Sequence, residues 1–129
     1  MPSPKSRPRI MIVDDEKDVL FVTEKLVQSC GYETEAFSDP LKALARYKES
    51  PTEFMVVLTD IRMPGLDGLH LACEILKLQG SPKIMLMTAF QIDGHIFDAL
   101  PVIHKDDIVS KPFDPFKICQ QIQGRLSRQ

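Results

Sequence analysis

Four places along this chain carry side chains whose chemistry could work together: Asp14-Asp15, Asp60, Thr88 and Lys111. Each stands at the end of a short apolar run, and all but the last of these runs are four or five residues long: Ile10–Val13, Phe54–Leu58, Ile84–Met87 and Ile108-Val109. Runs of that length bounded by polar or turn residues read as strands buried on both faces. If the strands lie parallel, all their carboxyl ends meet at one rim, where open α/β sheets collect ligands. Three carboxylates, a hydroxyl and an amine then share one shallow cleft. Taken singly, each residue has an ordinary alternative. Asp14 or Asp15 could cap a helix, Asp60 could mark a turn, Thr88 could cap a following helix, and Lys111 could extend into solvent. Coincidence at four strand ends is a weaker explanation than a site.

Electrostatics indicates what such a cleft requires. Two like charges about 4 Å apart repel by ~4 kcal/mol at an effective dielectric near 20. Lys111 supplies one positive charge against three negative ones. A divalent cation with hard oxygen ligands supplies the balance, and Mg²⁺ suits a site with few carboxylates and room for water or phosphate. A phosphoryl group could then approach Asp60 as a carboxylate nucleophile, with Lys111 and the Thr88 hydroxyl meeting its oxygens.

The elements that must position these groups follow in order. Met1 to Pro8 is a polar, proline-rich stretch expected to be a flexible tail, leaving residues 9–127 as one domain. Val19, Val22, Leu26, Val27 and Cys30 form the apolar stripe of a first helix closed by Gly31. Tyr32 to Phe37 resembles an edge strand. Ser38-Asp39-Pro40 opens a second helix carrying Leu41, Leu44, Ala45 and Tyr47. Met63-Pro64-Gly65 enforces a loop after Asp60, and Asp67-Gly68 starts a third helix bearing Leu69, Ala72, Ile75 and Leu76 and ending at Gly80. Phe90, Ile92, Ile96, Phe97 and Leu100 suggest a short fourth helix stopped by Pro101. Asp114-Pro115 opens a last one with Ile118, Cys119, Ile122 and Leu126 on one face. Five strands alternating with five helices imply a parallel sheet covered on both sides.

Composition narrows the function classes. The chain has 129 residues, 26% charged, with a formal charge of −2. That charge offers no basic field for direct nucleic-acid binding. No run is long enough for membrane insertion and no apolar leader is visible, so a cytoplasmic protein is expected. Cys30, Cys73 and Cys119 are widely spaced and odd in number. They read as reduced core thiols, and the three scattered histidines as surface residues.

Val13-Asp14-Asp15-Glu16, Asp60-Ile-Arg-Met-Pro-Gly-Leu-Asp-Gly, Thr88-Ala89 and Lys111-Pro112-Phe113 together resemble the receiver domain of two-component response regulators. The resemblance implies a flavodoxin-like (βα)5 three-layer sandwich with strand order 2-1-3-4-5. It implies a phospho-aspartate switch that is not a conventional enzyme, although it promotes its own phosphorylation and dephosphorylation. Asp60 would accept a phosphoryl group from a sensor histidine kinase or phosphotransfer protein. Asp14, Asp15, Asp60 and the backbone carbonyl of Arg62 would hold Mg²⁺, while Thr88 and Lys111 bind phosphoryl oxygens. A downstream protein partner is implied but not identified, and the Lys111-Pro112 bond is expected to be cis. Two features depart from the pattern. Ile108 occupies the place of the usual Tyr or Phe three residues before the lysine, and the segment between Thr88 and Lys111 is irregular. These departures motivate an alternative, a receiver-fold binding module that signals without phosphorylation. A phosphatase using an aspartyl-phosphate would want an acid two residues after the nucleophile, where this chain has Arg62.

Overall fold

The structure, a computed structural model, describes residues 9–80, 82–89 and 100–127. Strands β1 (Arg9–Val13), β2 (Glu33–Phe37), β3 (Val56–Asp60), β4 (Lys83–Thr88) and β5 (Ile108–Ser110) form one parallel sheet in the order β2-β1-β3-β4-β5. Helices α1 (Lys17–Ser29), α2 (Pro40–Glu49), α3 (Gly68–Leu76) and α4 (Pro115–Ser127) complete the described architecture, with a 3₁₀ turn at Lys105–Asp107 leading into β5. The expected flexible tail, and all but Leu100 of the expected fourth helix, lie outside the described residues.

The alternation of side chains along buried strands produces two cores. Met11, Val13, Val57, Ile84 and Leu86 face α2 and α3, packing with Tyr47, Leu71 and Ile75. Ile10, Ile12, Leu58, Met85 and Met87 face the other way, onto Leu20 and Val27 of α1 and Ile118 and Ile122 of α4. The result is three layers, helices on either side of the sheet, as the sequence predicts. No helix among the described residues is long and apolar enough to cross a membrane.

Several local expectations are corrected. The stripe of α1 that meets the sheet is Leu20, Thr23 and Val27, while Val22 is exposed. Thr23 can take a core position because its hydroxyl donates to the Val19 carbonyl at 2.8 Å. In α2 the buried residues are Pro40, Ala43 and Tyr47, and Leu41 points to solvent. Helix α3 buries Leu71, Ala72 and Ile75 and ends at Leu76, earlier than Gly80. Gly80 instead serves a loop at φ +108°, where the Tyr47 hydroxyl donates to the Gln79 carbonyl. Cys30 and Cys119 are not reduced thiols: they form a disulfide between the end of α1 and α4, with Cα atoms 5.5 Å apart. Spacing in the sequence could not reveal that the first and last helices share one face of the sheet. Cys73 alone is free.

Asp107, fully buried at the end of the 3₁₀ turn before β5, accepts the His104 amide and pairs with Arg125 of α4 at 2.9 Å. This ion pair docks the last helix against the sheet edge. Removing one partner of a buried pair leaves the other charge poorly compensated. Arg125→Met is therefore expected to destabilise the domain by roughly 3 kcal/mol in urea unfolding, and a change within error would show that Asp107 is satisfied without Arg125.

Candidate functional site

The parallel register sets the rim. Val13 pairs with Thr59, Asp60 with Met87, and Thr88 with Ser110, so Asp14, Asp60, Thr88 and Lys111 emerge side by side. Backbone bonds tie these ends together. The Asp14 amide donates to Phe37, the Ile61 amide to Met87, and the Lys111 amide to Thr88. The ladder thus continues one residue past β1, β3 and β5, fixing the backbone at Asp14, beside Asp60 and at Lys111.

Asp14, Asp15 and Asp60 each present a carboxylate oxygen within 4.8 Å of the others. Asp14 is fully buried and Asp60 and Thr88 nearly so. The Lys111 ammonium donates to Asp14 Oδ2 at 2.7 Å and to Asp60 Oδ2 at 3.2 Å. Neither aspartate occupies the cap position of α1, which Glu16 holds without a side-chain cap bond. Asp14 accepts the Glu16 amide at 3.0 Å, closing the turn that feeds the helix. Glu16, Asp60, Arg62, Thr88, Ala89 and Lys111 line a cavity of about 120 Å³. A wider groove of about 630 Å³ lies along β5 and α4. The clustered acids sit at the rim instead, the one such cluster found among the described residues.

Burial pushes the Asp60 carboxyl above its ordinary value. Lys111 opposes the shift, and the nearby Asp14 carboxylate reinforces it. Burial pulls Lys111 down, but its bonds to Asp14 and its attraction to both acids outweigh that and leave it raised. One cation is therefore shared by an acid cluster that remains under-neutralised. Three carboxylate oxygens this close, from a hard-oxygen donor set, fit a small divalent cation such as Mg²⁺.

The loop after Asp60 is shaped by two glycines. Gly65 takes a φ of +86° directly after Pro64. At Gly68 the Cβ of any other residue would lie 2.0 Å from the Asp60 carbonyl oxygen. The Gly68 amide donates back to the Ile61 carbonyl at 2.8 Å, and Asp67 caps α3 by accepting the His70 amide. The sequence marks Asp67-Gly68 as a helix start, but the close approach to Asp60 is visible only in the structure. Glu16, Ile61 and Ala89 are further cavity residues; they lie inside the sequence motifs, but sequence reasoning gave them no role at the site.

The Lys111-Pro112 bond is cis, as the resemblance implies. With this geometry in view, the sequence matches the response regulator receiver domain family over residues 10–123. The chain belongs to that family. Its relatives include the regulatory protein VanRc of Enterococcus gallinarum, 28% identical over 93% of this chain and 50% of VanRc. They also include the chemotaxis protein CheY of Thermotoga maritima, 29% identical over 88% of this chain and 93% of CheY. This receiver spans about half the length of VanRc and of the similar DNA-binding regulators it matches. Among solved structures, Vibrio cholerae CheY4 superposes with a TM-score of 0.81 at 21% identity, covering 92% of this chain and 98% of that one. The CheY of a Borrelia burgdorferi CheX–CheY–BeF₃–Mg²⁺ complex gives 0.82 at 23%, covering 94% and 90%. At these identities the structural likeness establishes the flavodoxin-like fold.

Two outcomes test the geometry of this receiver. Without metal, Asp60→Asn should raise the melting temperature by several degrees, at roughly 4 °C per kcal/mol of repulsion relieved. Because the folded-state pKa is raised, ionised Asp60 subtracts stability above its unfolded value near ~4. The advantage of the Asn variant should therefore grow from near zero below that pH to its full size above the folded pKa. A melting temperature that falls instead would mean the acids are not crowded. Gly68→Ala should lose roughly 1–3 kcal/mol in urea unfolding, since backbone faces backbone there and no flexible side chain can yield; wild-type stability would mean the start of α3 shifts freely.

Proposed function

We propose that this receiver is a phospho-aspartate switch in which Asp60 accepts a phosphoryl group from a phosphohistidine of a sensor kinase or phosphotransfer protein in the cytoplasm. The observation that carries the reading is the crowding of Asp14, Asp15 and Asp60 beside Lys111, with Asp60, Thr88 and Lys111 lining one small cavity. Structural crowding of acids with too little positive charge is costly, and a cation with a bound phosphoryl group relieves it.

Asp14, Asp15 and Asp60, with the Arg62 backbone, would hold Mg²⁺. That ion, when bound, supplies positive charge that offsets repulsion between the carboxylates and the incoming phosphoryl oxygens. Asp60 then forms the new O–P bond as the donor's N–P bond breaks. Lys111 is placed to exchange part of its contact with Asp60 for a phosphoryl oxygen, holding its proton throughout. The Thr88 hydroxyl, at the end of the neighbouring strand, donates to another such oxygen. Hydrolysis reverses the change, so the chain is a switch that promotes its own modification and its loss, not an enzyme acting on a separate substrate. Altered contacts with a protein partner would carry the signal onward.

Ile108 favours a second reading. It is half-buried and packs against the core on the α2 and α3 side of the sheet, and an aliphatic side chain there cannot serve as the aromatic readout usual for the family. A receiver that binds its partner regardless of phosphorylation would show partner affinity unmoved by beryllofluoride.

Incubation with acetyl phosphate and Mg²⁺ should add one phosphoryl mass to the wild-type chain, none to Asp60→Asn, and little without Mg²⁺. Equal labelling of both proteins in intact-mass spectra would overturn the assignment of Asp60.

A further inference from the structure

The disulfide between Cys30 and Cys119 lies apart from the acidic rim and serves no step proposed there. It joins residues 89 positions apart. Cys30 is the C-cap of α1, and Cys119 follows the buried Ile118 of α4. Both cysteines are only half-buried, so a small thiol or disulfide has access that a sealed core bond would deny. Their only competitor, Cys73, sits on α3 and packs into the core on the opposite side of the sheet, whereas Cys119 belongs to the core beneath α1 and α4. The sheet therefore separates the third thiol from the pair. Exchange between Cys30 and Cys119 has one intramolecular outcome.

We propose that Cys30 and Cys119 form a reversible redox site, a staple between the first and last helices that closes under oxidising conditions and opens under reducing ones, independently of phosphorylation. The co-reactant is a small-molecule disulfide of the glutathione class. One cysteine thiolate attacks a sulfur of that disulfide and expels a thiolate, leaving a mixed disulfide. The second cysteine thiolate attacks the protein-bound sulfur and expels the other small thiolate. The protein pair loses two electrons, the small disulfide gains two, and the two thiol protons pass to the released thiolates or to water. Closure ties together residues 89 positions apart in a chain of 129, and long loops give the largest expected stabilisation. It also fixes α4 against α1 while the sheet edge is held separately by Arg125 and Asp107.

Equilibration of the full chain in glutathione buffers of graded ratio, followed by iodoacetamide quenching and intact-mass analysis, tests the site. The chain has three cysteines with Cys73 free, so the reduced form takes three labels and the closed form one. A single transition between these species, with no two-label plateau, is the expected result. Three labels at every ratio would show that the bond does not form. One label persisting in excess dithiothreitol under native conditions would show a fixed bond rather than a switch; either result overturns the proposal. The closed wild type should melt at least about 5 °C above the reduced form, while C30S/C119S melts equally in both buffers. Equal melting of the two wild-type forms would also overturn it. Should the double variant fail to fold, C73S retains the pair and reports the same transition as zero against two labels.

Discussion

The Lys111 ammonium stands 2.7 Å from Asp14 and 3.2 Å from Asp60, with Asp15 completing a cluster of acids on the same rim. Coulombic repulsion between these carboxylates falls slowly with distance in a partly buried cleft, so their placement constrains everything around them. The strands must be parallel for the three ends to meet, the loop after Asp60 must turn without blocking it, and the lysine must be returned to the acids from the last strand. The five-stranded order with β1 and β3 adjacent satisfies the first need. Gly65 and Gly68 satisfy the second, and the pairing of β5 with β4, extended by the Lys111 amide donating to Thr88, satisfies the third.

The same cluster explains why a rigid fold can serve a reversible signal. A single cation is shared between the acids, and burial, opposed by Lys111 and reinforced by the nearby Asp14, raises the Asp60 carboxyl. Stability is given up at the rim and recovered in the two cores, where Ile10, Ile12, Leu58, Met85 and Met87 on one side and Met11, Val57, Ile84 and Leu86 on the other are essentially inaccessible to solvent. Anything that brings positive charge to the rim, or changes the charge of Asp60, acts on a site already under electrostatic load. Far from the rim, part-buried ion pairs among Arg9, Arg46, Glu35 and Glu53 tie β1, β2 and α2 together. These pairs are linked into one network, which fixes the geometry of that edge.

Much of this was legible in the residues. Short apolar runs, too short for helices and bounded by turn signals, gave the buried strands, because strands covered on both faces need no alternation. Polar residues at the ends of those runs marked the rim. Asp39 and Asp67 were legible as helix caps, and both accept the backbone amide expected of them. The strips of helix that meet the sheet were less readable. Val22 and Leu41 are apolar yet exposed, while Thr23 and Ala43 are buried. Helices with apolar residues on more than one side do not fix their own phase, and the sheet chooses the face with the better fit.

The sequence by itself determined the parallel α/β class, the order of elements and the identity of the acids, hydroxyl and amine available at the rim, since these depend on local pattern and on residue type. The tertiary structure alone decided how far apart those groups stand, that Lys111 bridges Asp14 and Asp60, that Gly68 touches the Asp60 backbone, and that Cys30 meets Cys119. These are contacts between residues from eight to 97 positions apart, and no local preference encodes such a meeting. It follows from which helices share a face of the sheet and which strands lie side by side.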